Sequence, residues 1–400
     1  MNWDLISIII FYGILITLFI IYKKKFTVQA KIFVLYKTKY GIILMDKISK
    51  LCPRFLKILG KIGVIVGFSG MGFIFFFLIK ETLKFITVPN TPPPLAPVFP
   101  GVNIPGAPSL SFWHWIIAIF IIAVIHEFSH GIFARLYNIK IKSSGFAFLG
   151  PILAAFVEPS EKQMNKKKKW ERLAVLSGGP FSNIILGVLF LGLFLFISGP
   201  AQAGMFEIEG ITINTLIEDQ PMEATGIETP FTIVEINNQE IKNSTIFLKE
   251  LEKIKPGETV KLGTDKGDYE IITKEHPENK SRGFIGISGF SQDLKPVDKW
   301  KDNNFIPNFM IWLNLLIFWI FIISIGVGLF NLLPIGPVDG GKMFMIFLTW
   351  AFKENETKAK KAWVAVSYFV LILIFINLLP WLWKFVLFLF NSVTLLVTLI

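Results

Sequence analysis

Apolar residues arrive along this chain in long unbroken blocks, separated by basic or turn-rich stretches. Residues 5–22, 62–79, 173–206, 303–338, 362–383 and 385–400 contain no charged side chain. A helix rises about 1.5 Å per residue, so roughly 20 such residues cross the hydrocarbon core of a bilayer. Each block is long enough or nearly so. The pattern predicts spans over about 4–22, 62–80, 112–135, 173–199, 306–333, 363–380 and 382–400. The first reads as a retained span, because it lacks a basic leader and a small-residue cleavage site and Lys23–Lys25 follow it directly.

The pattern changes over 207–300. Charge becomes dense, and short β-rich runs such as FTIVEI (231–236) and YEIIT (269–273) alternate with turn signals at Pro256–Gly257 and 265–268. Between them, residues 244–255 read as a helix with Ser244 at its N-cap. The predicted fold class is therefore a multi-pass α-helical membrane protein with an inserted small soluble α+β domain. Residues 145–159, GFAFLGPILAAFVEP, are apolar but broken by Gly and Pro. They read either as a re-entrant hairpin beside a wet site or as an interfacial loop, since non-helical backbone at membrane depth must be satisfied by protein or water. A short helix is expected over 343–352, and the chain shows no internal repeat.

Composition agrees with this reading: 53% of the 400 residues are hydrophobic, with 41 Phe. The net charge of +11 would suit a nucleic-acid partner if it were spread over one surface. Instead it alternates between loops. Residues 23–61 hold eleven Lys/Arg against one acid, 135–172 is also basic, and the Pro-rich 81–111 is nearly uncharged. This is the positive-inside pattern, which places the basic loops in the cytoplasm and the soluble domain outside, and no nucleic-acid partner is expected. The single Cys52 excludes an internal disulfide framework and a cysteine metal cluster.

Candidate chemistry sits inside the third span. In IIAVIHEFSHGIFARL (121–136), His126 and His130 are four residues apart and project from one helix face. Two such imidazoles can bind one Zn²⁺, with Glu127 placed to serve as general base. Zinc lowers the pKa of a bound water to about 7. Ionisable groups are costly in lipid and point to function there. A catalytic zinc site has three protein ligands. His114 and His276 are badly placed for the third, whereas Asp339 is the only charge between Asp302 and Lys342, closes the fifth span and follows Pro334 and Pro337.

HEFSH in one span and NLLPIGPVDGG (331–341) in a later one resemble the site-2 protease family of intramembrane zinc metalloproteases. SGGPFSN (177–183) is similar to a third motif of that family, and residues 215–243 look like part of a PDZ domain of the kind prokaryotic members insert. The resemblance covers about residues 112–341. It implies one Zn²⁺ per chain held by His126, His130 and Asp339, with Glu127 as catalytic base. It also places Asn331 and Asn183 on family asparagines that contact substrate, although Asn183 reads equally well as a packing residue between spans. Val338 and Gly336 depart from the family pattern without removing a ligand.

The implied activity is hydrolysis of peptide bonds within or next to transmembrane helices of membrane-anchored proteins. The implied setting is a prokaryotic cell membrane, with the active site toward the cytoplasm and the PDZ-like domain outside, open to a peptide ligand. The expected organisation is 1–111 N-terminal spans, 112–205 first part of the catalytic core, 206–300 PDZ-like domain, 301–345 second part of the core and 346–400 C-terminal spans. A transporter using the same His, Glu and Asp residues, or a silent PDZ-bearing scaffold, are the alternatives. Transporters commonly carry internal repeats, absent here.

Overall fold

The computed structural model describes residues 3–398, apart from positions 24, 25, 30–32, 90, 103, 105, 106, 150, 151, 218, 278 and 304. Part of the basic run after the first span (Lys24 and Lys25), the centre of the 145–159 segment and the last two residues of the final predicted span lie outside the described residues. The chain divides into two compact units, Met1–Phe194 with Leu315–Ile400, and Leu195–Asn314.

The first unit opens with α1 (Trp3–Ile21), β1 (Phe26–Gln29), β2 (Phe33–Thr38), α2 (Tyr40–Leu51), α3 (Pro53–Thr87) and α4 (Phe112–Leu136). The strands β3 (Ile141–Leu149) and β4 (Ile152–Pro159), the short α5 (Glu161–Asn165) and α6 (Lys169–Leu193) follow. Through one π-helical turn (Phe194–Ser198), α6 runs on into α7 (Gly199–Ala203). The second unit adds β5 (Phe206–Leu216), β6 (Phe231–Ile236), β7 (Gln239–Glu240), α8 (Ser244–Lys253), β8 (Thr259–Thr264), β9 (Gly267–Ile272), β10 (Lys274–Glu275), β11 (Gly283–Phe284) and β12 (Ile287–Pro296). The chain closes with α9 (Phe305–Asn331), α10 (Asp339–Ala351) and α11 (Glu356–Thr398).

Among the described residues, five helices are long and apolar enough to cross a membrane: Pro53–Thr87, Phe112–Leu136, Lys169–Ala203, Phe305–Asn331 and Glu356–Leu387. The chain is a multi-pass membrane protein, and α1 adds a further apolar helix. Lipid is as apolar as Leu, so close packing rather than exclusion of water must join such helices. Val64 of α3, Phe133 and Ala134 of α4, and Ala174 and Val175 of α6 form one cluster. Met71, Leu176, Leu332, Met343 and Ile346 tie α3 and α6 to α10. Leu78, Leu333, Ile335, Val370 and Leu373 fasten the segment between α9 and α10 to α3 and α11.

A four-stranded antiparallel sheet, ordered β1-β2-β3-β4, belongs to the same unit. The described residues of 145–159 therefore form two antiparallel strands, with Phe146 opposite Ala155 and Ser144 opposite Val157. Its partner β2 comes from a stretch read from sequence only as a basic loop, with Tyr36 opposite Phe146. The basic side chains in 31–39 mask the short apolar run FVLY from any composition-based reading. The strand β4 ends the order, so one of its edges has no strand neighbour among the described residues.

The second unit is a small α+β fold. Its sheet runs β12-β5-β6-β8-β9, with β7 on β6. Ile211, Ile213, Phe231, Ile233 and Val260 face inward to meet Phe247 of α8. Asn243 rather than Ser244 caps α8, its Oδ1 accepting from Ile246 N at 2.8 Å. Asn serves as well as Ser at that position.

Two further expectations change. The residues read as two closing spans form one continuous helix, α11, with Pro380 inside it. Proline costs a helical hydrogen bond, but exposing several backbone groups to lipid costs more, so the helix persists. The helix expected over 343–352 begins earlier, at Asp339.

Candidate metal centre

Ser111 starts α4 by accepting a hydrogen bond from His114 N, and the helix then runs without interruption to Leu136. This carries His126 and His130 onto one face, where their Nε2 atoms lie 3.2 Å apart. Asp339 Oδ2 completes the triangle, 3.2 Å from His126 Nε2 and 3.1 Å from His130 Nε2. All three residues are withdrawn from the surface, with 11–12% of their side-chain area exposed.

Asp339 reaches this point because α9 stops at Asn331 and a tight segment turns the chain into α10, whose first residue is Asp339. A carboxylate there is favoured by the positive end of the helix dipole. The turn is crowded: a Cβ on Gly341 would lie 1.8 Å from Ile335 O. From outside, α11 grips the turn. Ser367 Oγ donates to Pro334 O at 3.3 Å, and Trp363 Nε1 donates to Gly341 O at 2.8 Å.

Both rings are also held on their far sides. His130 Nδ1 is 2.7 Å from Val175 O, a carbonyl that can only accept, so the proton sits on Nδ1 and the Nε2 lone pair is free. His126 Nδ1 is 3.0 Å from Asn183 Nδ2, while Asn183 Oδ1 is buried with no hydrogen-bond partner. Turning that amide over satisfies both groups: Oδ1 accepts from Nδ1–H, and the Nε2 lone pair of His126 is released. The orphaned oxygen is thus accounted for by a ring that offers Nε2 to a metal.

The space before these atoms is kept open by Gly179 of α6. A Cβ there would lie 2.4 Å from His130 Nε2 and 2.6 Å from His126 Nε2. Three donors 3.1–3.2 Å apart stand close to the roughly 3.3 Å separation of atoms held about 2.0–2.1 Å from one tetrahedral ion. Two imidazoles and a carboxylate are a donor set that suits zinc. His126, His130 and Asp339 can hold a single ion.

Glu127 faces the same cavity, of about 580 Å³, together with His126, His130, Asp339 and Asn331. Its Oε2 accepts from Val157 N of β4 at 3.0 Å. Asn331 donates through Nδ2 to Val327 O of its own helix at 3.0 Å. Asn183 is fully buried and contacts His126 rather than the cavity.

Of the six residues named from sequence, the structure brings His126, Glu127, His130, Asn331 and Asp339 to one cavity and places Asn183 against the His126 ring, away from it. Sequence reasoning missed Gly179, although the SGGP run carried the signal. It also missed Trp363, which no motif marks. Trp363→Phe removes one donor and leaves a buried carbonyl unpaired, so zinc affinity is expected to fall about 10- to 100-fold, as for other residues that support metal ligands. Competition with a chromophoric chelator measures this. Unchanged affinity would show that α11 does not hold the turn.

Comparison with known proteins places the chain. It is 28% identical over 384 residues to an uncharacterized protein of Methanocaldococcus jannaschii, covering 91% of this chain and 90% of the other. It is 22% identical over 275 residues to the zinc metalloprotease RasP of Shouchella clausii, covering 57% of this chain and 63% of RasP. The chain thus spans less than two thirds of the length of RasP. A solved PDZ domain of an SdrC-like protein from Listeria monocytogenes is 21% identical, covering 23% of this chain and 93% of that one, with a TM-score of 0.18. The model of peptidase family M50 matches residues 114–375, well over half the chain and including HExxH, SGGPFSN and Asp339. This chain belongs to peptidase family M50, the site-2 protease family of zinc metalloproteases that its motifs resemble.

Proposed function

We propose that this chain cuts peptide bonds within or next to transmembrane helices of membrane-anchored proteins, the reaction of regulated intramembrane proteolysis. The observation that carries this reading is the convergence of His126, His130 and Asp339 beside Glu127, on helices apolar enough to span a bilayer. His126, His130 and Asp339 hold one Zn²⁺ per chain. When bound, the ion supplies a Lewis acid and an activated water at neutral pH.

Glu127 takes a proton from the attacking water on Oε1 and returns it to the leaving amine. Its other oxygen stays on Val157 N–H, which fixes the carboxylate's direction. Asn331 lines the cavity and offers its side-chain amide to the substrate backbone. Asn183 orients the His126 ring instead of touching substrate.

A transmembrane helix has its amides bonded internally, so it must unwind before it can be cut. The edge of β4 that has no strand neighbour among the described residues offers the unwound segment a strand to pair with beside Glu127. The basic loops orient the catalytic cavity toward the cytoplasm. The soluble unit lies outside, where it screens substrates as a PDZ-like domain and captures peptide termini by strand addition.

Metal analysis tests the foundation. Detergent-purified protein is expected to carry close to one zinc per chain, and His126→Ala and Asp339→Ala to carry little. A chelator should abolish cleavage of a reconstituted single-span substrate, and added zinc should restore it. Zinc content indifferent to both substitutions would remove the protease reading.

A further inference from the structure

A second cavity lies on the other side of Glu127. It measures about 340 Å³ and opens between the four-stranded sheet, α2 and α4. Tyr36, Met45, Phe128, Phe146, Ala155 and Phe156 form its walls. Glu127 and Val157 belong to both cavities, and in this one Glu127 is the only charged residue. The two spaces therefore meet at one carboxylate and one backbone N–H, the pair joined at 3.0 Å.

The walls are firmly placed. Met45 is 1% exposed, and its side chain fills the space against Gly131, where a Cβ would meet Met45 Sδ at 2.2 Å. An ion pair between Asp46 and Arg135 joins α2 to α4 one residue further along. Ser144 Oγ donates to Thr38 O at 3.2 Å, closing the sheet side. This is a built cavity that shares Glu127 and Val157 with the catalytic one, and part of its wall comes from β2 and α2, elements that lie before the region matched by the family model.

We infer that this cavity is the enzyme's specificity pocket, which receives one large apolar side chain of the substrate next to the scissile bond. The inference rests on the proteolytic reading above. An extended segment sends successive side chains to opposite sides. With its scissile bond at Glu127, one flanking side chain faces the metal ligands' cavity and its neighbour faces the apolar one. A volume of about 340 Å³ is at the low end for small-molecule pockets and suits a single Leu, Met or Phe side chain. Aromatic and thioether walls favour such groups, and Met45 can adapt to their shapes. An acidic side chain would lose its hydration there and meet only the like charge of Glu127, so it is rejected.

The test uses the full chain in vesicles with a single-span substrate whose cleavage position is mapped. Each residue flanking that position is varied through Ala, Leu, Phe, Trp and Asp. At one of the two, Leu or Phe is expected to exceed Ala in kcat/KM by about tenfold or more, the discrimination a hydrophobic pocket affords. Ala155→Phe fills the pocket and should erase that preference. Phe146→Ala enlarges it and should shift the preference toward Trp.

A readout independent of turnover accompanies these. In a Glu127→Gln chain, its fold checked by zinc content, a photoreactive phenylalanine at the preferred position should label β2 or α2. Equal cleavage of the whole series, a preference untouched by both variants, or labelling confined to α9 and α10 would overturn the pocket while leaving proteolysis standing. A zinc-loaded wild type that cuts none of the single-span substrates offered to it, so that no cleavage position can be mapped, would overturn both.

Discussion

Glu127→Gln is expected to leave zinc content unchanged and to reduce cleavage about 10²- to 10⁴-fold, the usual worth of a general base. The two readouts separate because Glu127 is outside the triangle of donors. Its carboxylate is held by Val157 N–H, whereas His126, His130 and Asp339 lie 3.1–3.2 Å from one another. Glutamine keeps an oxygen to accept from Val157 N–H, so the fold of β4 against α4 is preserved. What it lacks is a second oxygen able to take a proton. The experiment pairs zinc analysis with cleavage of the reconstituted substrate. Parallel loss of metal and activity would make Glu127 part of the metal site and deny it the role of base.

Gly179→Ala should be nearly as damaging without altering any donor atom. The added methyl would sit 2.4 Å from His130 Nε2, 2.6 Å from His126 Nε2 and 2.7 Å from His126 Cε1, closer than real Cβ atoms come. The two imidazoles are pinned from behind by Val175 O and Asn183, so they have little freedom to retreat. At least 100-fold weaker zinc binding is expected, comparable to losing a supporting residue altogether. Gly192→Ala in the same helix, with nothing within 4 Å of the new Cβ, is the neutral comparison. If the Gly179 variant bound zinc like the Gly192 variant, the donors could not converge where they are described.

Much of this site was legible because its strongest signals are short and local. The i, i+4 spacing of His126 and His130 needs no tertiary knowledge, and a lone Asp339 after a long uncharged run marks itself. Gly179 was quoted within a motif but carries no chemistry of its own, so only the position of the rings discloses its purpose. Trp363 and Ser367 act through hydrogen bonds to backbone carbonyls, which no sequence pattern records.

The spans were legible for a different reason, since apolar runs of sufficient length have few other uses. The β1–β2 hairpin was not. Its second strand, β2, finds its other partner more than a hundred residues later, in β3, and the lysines around it look like a cytoplasmic loop. The division of residues 363–400 into two spans fails for another reason: one helix runs on through Pro380, because a residue that ends helices in water is overruled in lipid.

The order of the ligands along the chain has a consequence for biogenesis. Asp339 is made 209 residues after His130, which at about 5–20 residues per second is roughly 10–40 s later. Until then the nascent chain carries His126, Glu127 and His130 without the carboxylate that completes the triangle of donors, and Trp363, which bonds the turn at Gly341, comes later still. The whole soluble unit is synthesised in the interval. On the proposed reading, the enzyme is thereby incomplete while its own spans are still being inserted, and it is armed only when most of them are in place.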